Sequence, residues 1–295
     1  MNNPVVLYPL LFENNFHTMI WGGNRLKPVK NLPADEEPVG ESWEVSAVDG
    51  SKSIVRNGPL AGWDLAQLTK EYGPLLLGEN VYKKYGDKFP LLVKFIDAAK
   101  DLSIQVHPDD VLAKERHNTF GKTEMWYIIK AKPGAKLYSG FKSPISQYEY
   151  EKRIEDHSIC NVLEEHEVKA GDVFFIPAGR VHAIGGGILL AEIQQSSDVT
   201  YRIFDYNRPG LDGKPRQLHT EMAKDAIDYK VYDDYRTHYE RRLNKPVPIV
   251  VRCDASGNDH HADRRIQLPD SGLRCRFACH AVQSERAYKA FGGIH

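Results

Sequence analysis

The chain has 295 residues, 41% of them hydrophobic, which is enough to bury a core in one large or two modest domains. Its 39 basic and 40 acidic residues leave a formal charge of −1, so no overall field favours nucleic acid or a membrane surface as a partner. The apolar runs fall short of the ~20 residues that cross a bilayer, and the N-terminal segment lacks the features of a signal peptide. Four cysteines are too few for a disulfide scaffold, so we expect a cytoplasmic globular protein.

Alternation of polar and apolar residues with period two, interrupted by Gly, Pro and Asp clusters, predicts a mainly β protein with a few short helices. Helical spacing predicts a helix over Asp64–Leu77, and Asp109 is expected to cap a short helix that runs through His117. Ser143-Pro144 is typical of a helix start, and a further helix is expected after Thr220. These helices are expected to be insertions in one main domain.

A domain junction is predicted at the Pro-containing segment that starts at Leu243. Residues 1–242 would then form the main domain, and residues 243–295 would form a small C-terminal segment. One interpretation of that segment is a truncated or altered second β unit. The polar sequence after Arg252 carries little pattern, so its local structure is not predicted.

Three strand candidates carry metal-ligating side chains. Alternation in the first places Ser103, Gln105 and His107 on one face. In the second, Lys122, Glu124 and Trp126 share a face. The third runs from Gly171 through a Pro/Gly turn and presents His182.

A fourth strand is predicted from Glu192 to Arg202, and one of its faces is polar throughout. The residues on that face are Glu192, Gln194, Ser196, Asp198, Thr200 and Arg202. A single polar face usually points to solvent. Four such faces turned inward by a barrel would instead surround a cation, and His, Glu and a neutral amide suit zinc or another borderline divalent metal.

These segments resemble the cupins and, more narrowly, the type I mannose-6-phosphate isomerases. The second cupin motif, G-x5-P-x-G-x2-H, is met by Gly171, Pro177, Gly179 and His182. The first motif, normally H-x-H followed closely by Glu, has Gln105 in place of the first His. A predicted helix separates His107 from Glu124 in this motif, and the isomerase family shows the same departure. The resemblance covers roughly residues 5 to 250.

The resemblance implies a jelly-roll β-barrel catalytic domain that interconverts mannose 6-phosphate and fructose 6-phosphate by proton transfer through a cis-enediol. It implies one zinc ion per chain, bound by Gln105, His107, Glu124 and His182. The catalytic residues that it implies are Arg202, Lys122, Glu192 and Asp198. The substrate-binding residues that it implies are Ser103, Lys122, Arg202 and Arg208. The identity of the general base and of the cation that holds the phosphate stays open.

Two other functions are compatible with a metal-binding cupin. An Fe(II) oxygenase would use the same ligand types, and a non-catalytic sugar-binding cupin would keep the barrel without an acid–base set. The polar face with Arg202 favours a phosphorylated sugar over the apolar substrates of many oxygenases. The histidines outside the motifs are interpreted as surface residues, namely His117, His157, His166, His219 and the pair His260-His261.

Overall fold

A computed structural model describes residues 7–33 and 37–239 of the chain. The predicted C-terminal segment, 243–295, lies outside these residues, as do His260 and His261, and the predicted boundary after residue 242 therefore stays a prediction. Among the helices in the described ranges, none combines the length and the apolar character that a bilayer span requires.

Eleven strands lie in the described part of the chain and form two antiparallel sheets. They are β1 Phe16–Gly23, β2 Val39–Val45, β3 Leu91–Ala98, β4 Ile104–Val106, β5 Glu124–Ala131, β6 Lys136–Phe141, β7 Leu163–Glu167, β8 Val173–Ile176, β9 His182–Ile184, β10 Ile188–Gln195 and β11 Tyr201–Phe204. The six-stranded sheet has the order β1-β2-β3-β10-β5-β8, and the five-stranded sheet has the order β11-β4-β9-β6-β7. Neighbours that are distant in sequence, such as β3 and β10, are typical of a jelly roll. The predicted mainly β fold is confirmed.

Short helices connect these strands, and three of the six begin where the sequence predicts. The helices are α1 Leu26–Lys30, α2 Leu65–Leu77, α3 Glu79–Tyr85, α4 Asp110–His117, α5 Gln147–Glu155 and α6 Thr220–Ala226. Asp64 and Gln67 exchange side-chain and backbone hydrogen bonds in a capping box at the start of α2. Asp109 accepts a hydrogen bond from the N–H of Leu112 and caps α4. The predictions for α2, α4 and α6 are confirmed.

The predicted helix start at Ser143-Pro144 is wrong, because α5 begins after Ser146. The hydroxyl of Ser146 accepts a hydrogen bond from the N–H of Glu149 at 3.1 Å, which satisfies a free donor of the first turn. Ile145, just before this cap, is buried in a hydrophobic cluster. The core therefore anchors the chain before the helix begins.

The single strand predicted over Glu192–Arg202 is also wrong. The strand β10 ends at Gln195, and β11 begins at Tyr201 in the other sheet. The intervening turn is held by the side-chain amide of Gln194, which donates to the carbonyl of Ser197 at 2.6 Å. The two ends of the predicted polar face therefore lie on different sheets.

The two sheets face each other across a core to which both contribute. Members from the six-stranded sheet include Trp21, Ile96, Trp126, Ile128, Phe174, Ile188 and Leu190, and members from the five-stranded sheet include Leu137 and Ile184. Along β10, Leu190 lies in this core, and Glu192 and Gln194 follow on the same face and are also buried. The inner face of the six-stranded sheet thus changes from apolar to polar along its strands.

Candidate active site

Two histidines of the five-stranded sheet are oriented by backbone carbonyls. The Nδ1–H of His182, the first residue of β9, donates to the carbonyl of Arg180 at 2.8 Å. The Nδ1–H of His107, just after β4, donates to the carbonyl of Val199 at 2.9 Å. Because a carbonyl can only accept, the proton lies on each Nδ1 and each Nε2 keeps its lone pair. Both rings are buried, so the two Nε2 atoms are available as ligands.

Glu124, the first residue of β5, reaches both rings from the facing sheet. Its Oε1 lies 3.1 Å from Nε2 of His107, and its Oε2 lies 3.6 Å from Nε2 of His182. A nitrogen lone pair that faces a carboxylate oxygen is repelled unless a cation lies between them. Nε2 of His107 and Oε2 of Glu124 also have no hydrogen-bond partner among the described residues. These three residues offer ligand atoms within 4.8 Å of one another, and this donor set fits a divalent metal ion.

Gln105 lies at the edge of this cluster. It pairs with His182 across the ladder between β4 and β9, and its Nε2 lies 3.3 Å from Nε2 of His182. A half-turn of the amide would present its oxygen, which can bind a metal, in the same direction. The hydroxyl of Ser103, which is buried, donates to Oε1 of Gln105 at 3.4 Å. The predicted fourth ligand and a predicted substrate-binding residue therefore adjoin the cluster.

The electrostatics of the cluster favour the protonation states that bind a metal. Burial and the positive charge of Lys122 lower the pKa of His107 to about 3, and burial also lowers the pKa of His182. Burial would raise the pKa of Glu124, but the positive charge of Lys122 holds that pKa well below its ordinary value. The Nζ of Lys122 lies 3.3 Å from Oε1 of Glu124. The imidazoles are thus neutral and the carboxylate ionised.

Charged side chains continue from Glu124 along the inner face of the six-stranded sheet. Glu192 accepts a hydrogen bond from Nε1 of Trp126 at 2.7 Å. The Nζ of Lys94 lies 2.8 Å from Oε2 of Glu192 and 3.4 Å from Oε2 of Glu41. All of these side chains are buried. We call Glu124, Glu192, Lys94 and Glu41 the charged row.

The members of the charged row differ in how readily they hold a proton. Burial and the negative charge of Glu124 raise the pKa of Glu192 to about 7. Burial would lower the pKa of Lys94, but Glu192 and Glu41 raise that pKa above its ordinary value. Lys94 therefore stays charged, and Glu192 is a carboxylate that accepts a proton more readily than a solvated one.

Lys94 and Glu41 are not predicted from the sequence motifs. Lys94 stands inside the apolar segment 89–96, which is one of the runs too short to cross a bilayer. A charged residue in the middle of an apolar strand must be paired if that strand is buried. This signal could have identified Lys94, although nothing local identifies Glu41 as one of its partners.

Arg202 approaches the cluster from β11, the edge strand of the five-stranded sheet. It pairs with Gln105 across the ladder between β11 and β4, so the two side chains share a face. Its Nη1 donates to the carbonyl of Gln217 at 2.9 Å, whereas its buried Nε has no partner within the described ranges. Burial and the nearby charge of Arg216 lower the pKa of Arg202. A guanidinium stays charged regardless, and the free donor is available for an anionic ligand.

Arg208, predicted to bind substrate, lies in a cluster beyond the end of β11. Its Nε and Nη2 donate to Oδ1 of Asp205 at 3.1 and 2.9 Å. Arg216 donates to both oxygens of the same carboxylate at 2.6 Å. Burial would raise the pKa of Asp205, but Arg216 and Arg208 lower it. Two guanidinium groups on one carboxylate leave an excess positive charge near Arg202. Neither Asp205 nor Arg216 is predicted from the sequence motifs.

Asp198 has a different setting from the other predicted catalytic residues. It is exposed in the turn between β10 and β11. It lines a cavity of about 370 Å³ whose other lining residues are Ala47, Val48, Asp49, Ala66, Asp87, Lys88, Phe89, Asn118, Thr119, Phe120, Ser196 and Ser197. That wall contains none of the predicted metal ligands. The structure therefore brings together Gln105, His107, Glu124, His182, Lys122 and Ser103, but not Asp198.

Comparison with known proteins agrees with this geometry. The family model "Phosphomannose isomerase type I, catalytic domain" matches residues 10–126. The Bacillus subtilis protein named "Probable mannose-6-phosphate isomerase GmuF" is 40% identical over 249 residues, which are 84% of this chain and 77% of that relative.

Two solved structures resemble the chain. The mannose 6-phosphate isomerase from Bacillus subtilis matches with a TM-score of 0.71 and 37% identity, over 77% of this chain and 71% of that one. A mannose 6-phosphate isomerase bound with zinc and yttrium matches with a TM-score of 0.58 over 78% of this chain and 77% of that one. Its identity is 15%, so this second likeness concerns the fold alone. The predicted fold class is confirmed.

Proposed function

The chain belongs to the type I mannose-6-phosphate isomerase family, and on that premise we propose that it interconverts mannose 6-phosphate and fructose 6-phosphate with one bound zinc ion. One observation carries the proposal. Two neutral imidazoles and an ionised carboxylate converge in a buried cluster, and the charged row and Arg202 flank that cluster. We also propose that the enzyme works in the cytoplasm.

His107, Glu124 and His182 would hold the zinc ion, and Gln105 would be a fourth ligand after its amide turns. Two imidazoles and a carboxylate are a common zinc donor set in catalytic sites that keep a position open. When bound, the ion would supply a Lewis acid that polarises substrate oxygens.

The proposed reaction moves a proton between C2 of open-chain mannose 6-phosphate and C1 of fructose 6-phosphate through a cis-enediolate. A general base must take the proton from one carbon and return it to the other. Glu192 is the candidate that fits best, because it is buried beside Glu124 and its pKa is raised. Asp198 is exposed on another cavity, and Lys122 is paired with Glu124.

Arg202 would stabilise the negative charge that develops on the substrate oxygen. Its Nε is unpaired and it neighbours Gln105 on the same face. A preorganised donor of this kind is typically worth ~10²–10³-fold in kcat. Arg208 and its partner Arg216 would supply the positive field that attracts the phosphate, since their charge exceeds that of Asp205.

A coupled isomerase assay tests this proposal. We expect the purified protein to convert mannose 6-phosphate, to lose turnover on treatment with a chelator, and to regain it when zinc is added. Free mannose should be a poor substrate, because it lacks the phosphate. Oxygen consumption with iron would instead identify an oxygenase. Sugar binding without turnover would identify a binding module, and either result would contradict the proposal.

A further inference from the structure

His219, interpreted from sequence as a surface residue, contacts the backbone of Arg202 through two hydrogen bonds. The N–H of Arg202 donates to Nδ1 of His219 at 3.2 Å. The N–H of His219 donates to the carbonyl of Arg202 at 2.8 Å. One residue thus satisfies both main-chain polar groups of Arg202, a contact that the interpretation of the partly exposed His219 as a surface residue does not include.

The position of Arg202 in its sheet explains why it needs such a partner. The strand β11 is an edge strand, with β4 on one side and, within residues 7–33 and 37–239, no strand on the other. In an antiparallel ladder the N–H and the carbonyl of one residue point to the same side. Both groups of Arg202 point to His219, so its pair with Gln105 is of the non-hydrogen-bonded kind, in which side chains lie closest.

The imidazole of His219 bonds Arg202, although the position of His219 at the start of α6 would favour a capping bond to the helix. His219 is the N-cap residue of α6, where Ser, Thr, Asp or Asn normally accepts a hydrogen bond from the first turn. The side chain of His219 makes no such capping bond. It accepts a hydrogen bond from the N–H of Arg202 instead. A histidine at this position is therefore explained by its contact with Arg202 and not by helix capping.

We propose that His219 is a positioning residue for Arg202. The neutral imidazole of His219 fixes the backbone of Arg202 and thereby aims the guanidinium of Arg202 at the substrate. This role rests on the proposed function, in which Arg202 stabilises developing negative charge. The guanidinium has one hydrogen bond to Gln217 and an unpaired Nε, so its direction depends on the backbone that carries it. A shift of about 1 Å in such a group can cost ~10²-fold in rate.

The contact requires a neutral imidazole, because a protonated Nδ1 cannot accept a hydrogen bond. Burial, Arg202 and His117 lower the pKa of His219, which preserves the neutral form. The titratable or charged groups around this contact are Arg202 and Tyr201 on β11, His117 and Arg116 on α4, and Asp225 on α6. Since the folded-state pKa is lowered, the contact is present at pH above the usual histidine range and is lost as pH falls through the folded pKa.

Substitutions of His219 test the role through turnover. His219→Leu removes the acceptor, and we expect kcat on mannose 6-phosphate to fall ~10–100-fold while zinc content is retained. His219→Asn keeps an acceptor oxygen close to the place of Nδ1, so it should restore most of kcat and remove the histidine-dependent fall at low pH. His238→Leu, at an exposed histidine bonded to Asp234, is the matched control. Wild-type kcat in His219→Leu, or equal losses in the Leu and Asn variants, would overturn the role.

Hydrogen exchange at the amide of Arg202 gives a readout that does not depend on turnover. Protection should be lost in His219→Leu and kept in His219→Asn, each measured on the full chain. If the wild type is protected but does not isomerise the sugar phosphate, the proposed function fails while the backbone contact is supported. If turnover is present and Arg202 is equally protected in all variants, the positioning role is wrong.

Discussion

The space between the two sheets has an apolar half and a charged half, built from the same strands. In the apolar half, Leu190 of β10 pairs with Ile96 of β3 on one side and with Ile128 of β5 on the other. Two residues further along β10, Glu192 pairs with Lys94 in the charged half. A two-residue step is roughly 7 Å, and the backbone ladder is continuous across it. The difference between core and site therefore comes from side chains alone.

This comparison separates what stabilises the protein from what makes it reactive. Burying apolar surface contributes about 25 cal/mol per Å². Burying a charge costs several kcal/mol per ion, which close pairing only offsets. The charged row therefore adds little net stability, and its members are best explained by the chemistry beside them. Three variants test this division: one is expected to lower turnover, and two are expected to lower the free energy of unfolding.

The largest expected effect follows from Glu192→Gln, which keeps the shape of the side chain and removes its proton-accepting charge. If Glu192 is the general base, kcat should fall ~10²–10⁴-fold. Zinc content should be unchanged, because Glu192 is not among the ligands. Glu165→Gln, at a half-exposed carboxylate, is the control and should leave kcat unaltered. A normal kcat in Glu192→Gln would assign the base to another residue.

Lys94→Met tests whether the charged row is a balanced set. The change leaves Glu192 and Glu41 buried without their cation, so the free energy of unfolding should fall by ~3–5 kcal/mol. Urea denaturation measures this loss. The double variant with Glu192→Gln should lose less than the sum of the two single losses, because the charges are coupled. Strict additivity would show that the row is not a coupled unit.

Leu190→Ala makes the corresponding change in the apolar half. It opens a cavity in the core and should lower the free energy of unfolding by ~2–5 kcal/mol. The kcat and the zinc content of the folded protein should remain close to those of the wild type. A selective loss of turnover in a still-folded Leu190→Ala protein would break the division between the two halves.

Much of the buried cluster could be predicted because alternation and motif spacing are local properties. Gln105, Glu124 and His182 lie on strands and His107 directly follows β4. The structure brings these four residues together. The caps at Asp64 and Asp109 are predictable for the same reason. Each depends on residues close in the chain.

The failures depend on side-chain contacts, some within a turn and others between distant segments. The polar alternation of 192–202 continues through a turn, and side-chain bonds of Gln194, rather than any change of pattern, end the strand. The pairing of Lys94 with Glu41 and the contact of His219 with Arg202 join residues 53 and 17 positions apart. Alternation cannot report such pairs.

The most direct test of the account is the metal stoichiometry of the purified protein and its ligand variants. We expect one zinc ion per wild-type chain after gentle purification with zinc, and loss of that ion in His107→Ala and in Glu124→Gln. His166→Ala, at a half-buried histidine outside the cluster, should retain it. A wild type that binds no divalent metal, or a His107→Ala protein that binds zinc as the wild type does, would contradict the assignment of the buried cluster as the metal centre.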